Sequence, residues 1–280
     1  MIKIDSKHRY LNVGCGKRFH EDWLNIDVLP ADPVVIHCDV TKGLPFEDNY
    51  LDVVYHSHVL EHIPKAEARE FISECYRVLR PGGIIRIAVP DLEGIVRNYL
   101  KFLDQNIKNP TKESKENYDW MMLELFDQVV RDRSGGEMQA YLQNNPGNRS
   151  FILSRLGEEV RPLLDGSSSK LSLSQKLRKF SAMSSSAKVF FVRSVLSSLI
   201  HQFLPGRKYY QVGKFRSEGE IHQWMYDQYS LKALLENAGF KEVRKVTAFE
   251  SAVPSWKKFK LDGEGKVIFK PDSLFMEGVK

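Results

Sequence analysis

Histidines and a glycine turn are the parts of this chain that can do chemistry. His56, His58 and His62 lie at the end of an apolar run, and His222 stands far downstream in Glu220-Ile221-His222-Gln223-Trp224-Met225-Tyr226-Asp227. Imidazole titrates nearer neutral pH than any other side chain, so each histidine is a candidate general base. Asp91, in Val89-Pro90-Asp91, can accept a proton or cap a helix beginning at Leu92. The glycine turn is Tyr10-Leu11-Asn12-Val13-Gly14-Cys15-Gly16, and Asn25-Ile26-Asp27 follows it. Gly-x-Gly lets backbone approach a ligand, and an acid closing the next apolar run can accept bonds from ribose hydroxyls. Together they imply a nucleoside-containing cofactor at the carboxyl ends of a parallel sheet.

Short apolar runs rich in Val and Ile predict the strands that carry these residues: Tyr10–Val13, Trp23–Asp27, Val34–Cys38, Leu51–His56 and Gly83–Val89. Between the last two, Ala68, Phe71, Ile72, Cys75, Val78 and Leu79 recur at helical spacing over Lys65–Leu79. Pro64 fits the first turn, and Pro81-Gly82-Gly83 ends the helix. Strand, helix and strand in one sheet imply a right-handed crossover. Ile95–Gln105, Tyr118–Arg131 and Val189–Leu204 read as helices. Gly135-Gly136, Asn144-Asn145-Pro146-Gly147 and Gly166–Ser169 read as breaks. Ser230 is expected to cap a helix ending at Gly239, and Lys241–Phe249 alternates like a strand.

The 280 residues suit one large domain with an insertion. Cys15, Cys38 and Cys75 share no metal-ligand or redox spacing, which points to a reducing, cytoplasmic compartment. The first eight residues lack the apolar core of a signal peptide, and no uninterrupted apolar run is long enough to span a membrane. The net charge of +5 is unevenly placed: residues 166–217 hold ten basic side chains and no acid. The other 228 residues hold 31 basic and 36 acidic side chains, a balance of −5. The division expected is a domain of residues 1–94 and 218–280, with 95–217 as a helical, basic, substrate-side insertion.

Leu11-Asn12-Val13-Gly14-Cys15-Gly16, Leu44-Pro45-Phe46, Leu51-Asp52-Val53-Val54, Val59-Leu60-Glu61-His62 and Val78-Leu79-Arg80-Pro81-Gly82-Gly83 occur in that order. The series resembles class I S-adenosylmethionine-dependent methyltransferases. With Glu220–Asp227 and Leu234–Phe240 it resembles the type 11-like subgroup associated with surface-polysaccharide biosynthesis. The resemblance implies a Rossmann-like α/β fold: a doubly wound, mostly parallel, seven-stranded sheet with the insertion over its carboxyl ends. It implies S-adenosylmethionine as cofactor, with Gly14 and Gly16 beneath its methionine part and Asp27 on the ribose. It also places Asp39 and Val40 at the adenine, and Ser57 and His58 beside the sulfonium. Asn12 stands where the family usually has an acid; an amide can still orient the cofactor amine by hydrogen bonding. The link from Gly16 to Trp23 is too short for a full helix. A dehydrogenase fits worse, since no third glycine follows at the Rossmann spacing.

The implied reaction is methyl transfer to a hydroxyl of a glycan or glycolipid precursor, with His222, His58, His62 and Asp91 as the catalytic candidates. His56 is expected to pack locally and Glu61 to be structural. His58 and His62 have the spacing of a metal pair, but Val59 replaces the Glu that usually follows the first His, and Pro64 delays the helix, so no metal is expected. The basic insertion fits a solvated loop, an anionic acceptor, or peripheral contact with an anionic inner-membrane surface. Nucleic acid ranks last, because the framework is acidic and no nucleic-acid module is present. A homodimer through Val189–Leu204 stays open. The competing functions are a non-catalytic cofactor-binding or membrane-docking protein, and an RNA methyltransferase.

Overall fold

Period-two burial builds the sheet. In β1 (Tyr10–Val13), Leu11 and Val13 sit in the core; in β4 (Leu51–Ser57), Val54 and His56 face one side while Val53 and Tyr55 face the other. The computed structural model describes residues 9–30, 32–166 and 206–280. The predicted helix Val189–Leu204 and most of the basic stretch lie outside the described residues. With β2 (Leu24–Asp27), β3 (Ile36–His37) and β5 (Leu79–Pro90), the first part of the chain forms five parallel strands. Helix α1 (Lys65–Val78) links β4 to β5 and buries Ala68, Phe71, Ile72, Cys75 and Val78 against the sheet. It stops at Leu79, which turns extended and pairs with Leu51, just before Pro81.

Beyond β5 the chain leaves the sheet through α2 (Leu92–Lys108) and α3 (Lys112–Val130). The short helices α4 (Gly136–Gln143), α5 (Arg149–Leu156) and α6 (Arg161–Leu164) follow. These share a second core of Phe102, Trp120, Met121, Leu142, Ile152 and Val160. After α7 (Arg207–Arg216) the chain returns through α8 (Gln228–Asn237) and β6 (Lys241–Val246). The capping residue of α8 is Asp227 rather than Ser230. Asp227 accepts from Ser230 N, and Ser230 Oγ accepts from Asp227 N in return, a capping box one turn earlier than sequence suggested.

The helix Trp256–Phe259 (α9) and a small hairpin, β7 (Gly263–Glu264) with β8 (Val267–Ile268), then lead to β9 (Ser273–Val279). β9 lies antiparallel between β5 and β6, a strand not foreseen in the sequence. The sheet order is β3-β2-β1-β4-β5-β9-β6. It is a Rossmann-like, doubly wound, mostly parallel sheet of seven strands, as expected. The strand order reverses between β1 and β4, where such sheets bind ligands at their carboxyl ends. Among the described residues no helix is long and apolar enough to cross a membrane.

Candidate active site

The turn after β1 is shaped by sign of φ and by one neighbour. Gly14 has φ +62°, and a Cβ there would lie 2.4 Å from Val59 Cγ2. Gly16 has φ +54°, and a Cβ there would meet no atom within 4 Å. Gly16 N and Leu29 N each donate to the Asp27 carboxylate at 2.8 Å, so Asp27 ties the turn to the end of β2. Asn12 is buried, and its amide donates to Arg18 O and Asn25 Oδ1. Cys15 is also buried, which pushes its thiol up to about 12 and leaves it unreactive at neutral pH. Asp39 caps the turn Val40–Lys42, and the Thr41 hydroxyl and Lys42 ammonium beside it hold its carboxyl below the usual range.

Three adjoining cavities open at the carboxyl ends of the strands. Asn12, Gly14, Gly16 and Ser57 line the first, of about 580 Å³, together with Arg18 and Lys270. Asp27, Asp39, Val40 and His62 line another, of about 660 Å³, which shares Gly14 with the first. A third, of about 330 Å³, lies between the sheet and the insertion, lined by Gln128, Arg131, Gln139, Leu142, His222 and Lys270 among others. His58 borders all three.

His58 itself is held on both ring edges. Its Nδ1 lies 3.1 Å from Glu61 Oε1, and its Nε2 lies 2.8 Å from Ser273 Oγ at the start of β9. Its backbone has φ +54°, an uncommon conformation for a residue with a side chain and one that recurs at functional sites. Glu61 is fully buried. Burial alone would raise its carboxyl, but the His58 imidazole, then His62 and His222, outweigh that and hold it at about 2. His62 and His222 meet edge to face with ring centroids 5.0 Å apart. Burial pushes His222 down to about 3, so its imidazole is neutral at physiological pH. Tyr226 OH is buried nearby, and burial followed by the Glu61 charge pushes it up to about 12.

The structure therefore brings His58, His62 and His222 together around Glu61, although His222 is distant in sequence. Asp91 is placed differently. Its Oδ1 accepts from Gly94 N as the cap of α2, Oδ2 faces Lys245 at 3.9 Å, and Asp91 borders none of the three cavities. His56 packs against Phe71 in the core, where burial lowers it to about 4. Sequence reasoning missed Arg18, Glu159, Lys270 and Ser273. Arg18 bonds Glu159 of the insertion and stacks 3.6 Å over Phe269, and no local spacing signals such contacts.

Residues 11–87 match the family described as a methyltransferase domain. The matched domain covers β1 through most of β5, and hence the glycine turn, Asp27, Asp39 and the His58–His62 segment. The chain is 29% identical over 136 residues to demethylmenaquinone methyltransferase of Staphylococcus haemolyticus, covering 46% of this chain and 52% of that protein. It is 44% identical over 99 residues to a probable S-adenosylmethionine-dependent methyltransferase of Mycolicibacterium smegmatis, covering 29% and 37%. The chain thus spans about half or less of the curated relatives it matches. A solved S-adenosylmethionine-dependent methyltransferase of Archaeoglobus fulgidus aligns over 98% of this chain and 86% of its own, at 15% identity and TM-score 0.38.

Proposed function

We propose that this protein transfers a methyl group from S-adenosylmethionine to an acceptor hydroxyl held between the sheet and the insertion. The observation that carries the reading is the position of His58, where all three cavities meet. The methyltransferase-domain match over residues 11–87 supports the cofactor. The residues present fit it. Asp27 has acceptor capacity for ribose hydroxyls, Asp39 and Val40 border the same cavity, and Gly16 leaves backbone without a blocking neighbour. Arg18 and Lys17, which border the first cavity, supply positive charge for a carboxylate. The cofactor, when bound, supplies a methyl group on a sulfonium, and for such a displacement proximity and alignment can supply on the order of 7–11 kcal/mol of the barrier.

The chain's own residues hold the acceptor and move its proton. The Glu61 carboxylate, 3.1 Å from His58 Nδ1, favours a proton on that nitrogen and so leaves the Nε2 lone pair to take a proton. Ser273 Oγ now donates to that atom. His62 and His222 flank the pair and complete a polar wall. Gln128, Gln139 and Arg131 beside Met138, Leu142 and Leu163 suit a hydroxylated ring with one apolar face. A glycan or glycolipid precursor has that chemistry, and Lys270 with the basic stretch favours an anionic one. His58→Gln should abolish turnover of a sugar-phosphate acceptor while S-adenosylmethionine binding by calorimetry stays within about threefold. Retained turnover would remove His58 as the base, and absent cofactor binding in the wild type would support a non-catalytic protein on this fold.

A further inference from the structure

Buried polar atoms without a protein hydrogen-bond partner gather around Glu61. Among the described residues they include Glu61 Oε2, His222 Nδ1 and Tyr226 OH. Interiors leave few such atoms unpaired, and a group of them in one place calls for a ligand. His62 sharpens the point. Its Nδ1 lies 3.0 Å from the Ile221 carbonyl oxygen, which can only accept, so the proton sits on Nδ1. Nε2 then presents a lone pair to the Glu61 carboxylate, 4.0 Å away. A lone pair turned toward a buried carboxylate is relieved by positive charge between them, either a proton on Nε2 or a metal ion. An imidazole that donates one N–H to a backbone carbonyl and turns its other nitrogen inward is also the arrangement that fixes a metal-binding histidine.

We propose that Glu61, His62 and His222 bind one divalent transition-metal ion of the zinc type at the wall of the acceptor cavity. One carboxylate and two neutral imidazoles form a donor set suited to such an ion, with a further position open to a fourth ligand. The three ligand atoms all lie within 4.8 Å of one another. Tetrahedral zinc holds its ligand atoms roughly 3.3 Å apart. Side-chain torsions must therefore close the set by up to about 1.5 Å, with no movement of the sheet. The set differs from the His58–His62 pair that sequence spacing argued against, because its third ligand comes from the returning segment. Glu61 has two carboxylate oxygens, so it can meet the ion and keep its contact with His58. His222 borders the acceptor cavity, so the open position is reached from there. Use of the ion to polarise an acceptor oxygen rests on the methyltransferase reading; binding of the ion does not.

Calorimetric titration of the chelator-treated full chain with zinc tests this. The wild type should bind one equivalent with submicromolar affinity, and Glu61→Gln and His222→Ala should each weaken binding at least ~100-fold. His62→Asn, at a half-buried position, repeats the test where folding is least at risk. No saturable zinc binding by the wild type would overturn the site and leave a proton shared by His62 and Glu61 in its place. Equal affinity in folded His62→Asn and His222→Ala proteins would overturn it as well. S-adenosylmethionine titration of the wild type separates the two readings: absent zinc binding with cofactor binding present removes the metal site alone, and the reverse removes the methyltransferase reading alone.

Discussion

Gly14 and Gly16 share a positive φ and answer to different constraints. At Gly14 an added methyl meets Val59, 2.4 Å away, so the limit is the fold itself. Gly14→Ala should destabilise the protein by about 1–3 kcal/mol, read from urea midpoints. The Val59→Ala Gly14→Ala double should recover part of that loss, and no recovery would show that backbone strain alone is responsible. Asp27 presents the converse case, a single side chain tying a turn to a strand while facing a cavity. Asp27→Ala should weaken S-adenosylmethionine binding by about 1–3 kcal/mol, the cost of leaving polar partners unmatched. Unchanged affinity would take the ribose away from Asp27. Asp91→Asn should leave turnover and stability unchanged, because asparagine caps a helix as well as aspartate. A fall in turnover with stability intact would return Asp91 to the catalytic set.

At the scale of elements, β9 does most to complete the site. It brings Ser273 to His58 and inserts Glu277 beside Arg86. Arg86 on β5 is fully buried; it bonds Asp262 at 2.7 Å and Glu277 at 2.7 Å, donates to the Thr247 and Glu250 carbonyls, and stacks 4.3 Å over Trp256. Tyr55 OH donates to the other Asp262 oxygen at 2.6 Å, so β4, β5 and β9 share one ionic knot. Arg86→Met should cost about 3–5 kcal/mol, because it leaves two carboxylates buried without their partner. A denaturation midpoint near that of the wild type would show that the carboxylates take up protons and relax. The acid inside β9 also explains why the strand was hard to see: Ser273-Leu274-Phe275-Met276-Glu277 lacks the uniform apolar character of the other buried strands. Its burial depends on Arg86, nearly 200 positions away.

Across the whole molecule, buried imidazoles make stability sensitive to acid. His56 is held at about 4 and His222 at about 3 by burial, against an ordinary value of 6.5. Below pH 6.5 the unfolded chain takes up protons that the folded chain refuses, so stability falls as pH drops from 6.5 toward 4. The loss from His56 alone is on the order of 3 kcal/mol by pH 4. Melting temperature should decline steadily across that window, and His56→Phe should flatten the decline. A slope unchanged in that variant would assign the acid sensitivity elsewhere.

The opening strands, helix α1 and the glycine turn were legible in sequence because each depends on neighbours within a few residues. Apolar alternation, helical spacing and a turn before Asp27 are local properties, and they set out a parallel sheet with a site at its carboxyl ends; the doubly wound order was implied by the family resemblance. The histidines were legible as candidates by residue type alone. Their meeting point was not, because Glu61 becomes its centre only when β9 supplies Ser273 and the segment after the insertion returns His222. Asp91 shows the same limit, since its type suits proton transfer while its position at the start of α2 commits it to capping. Type and spacing thus determined which chemistry this chain can hold. Tertiary structure decided which residues share it, because burial and charge are set by partners far away in the chain.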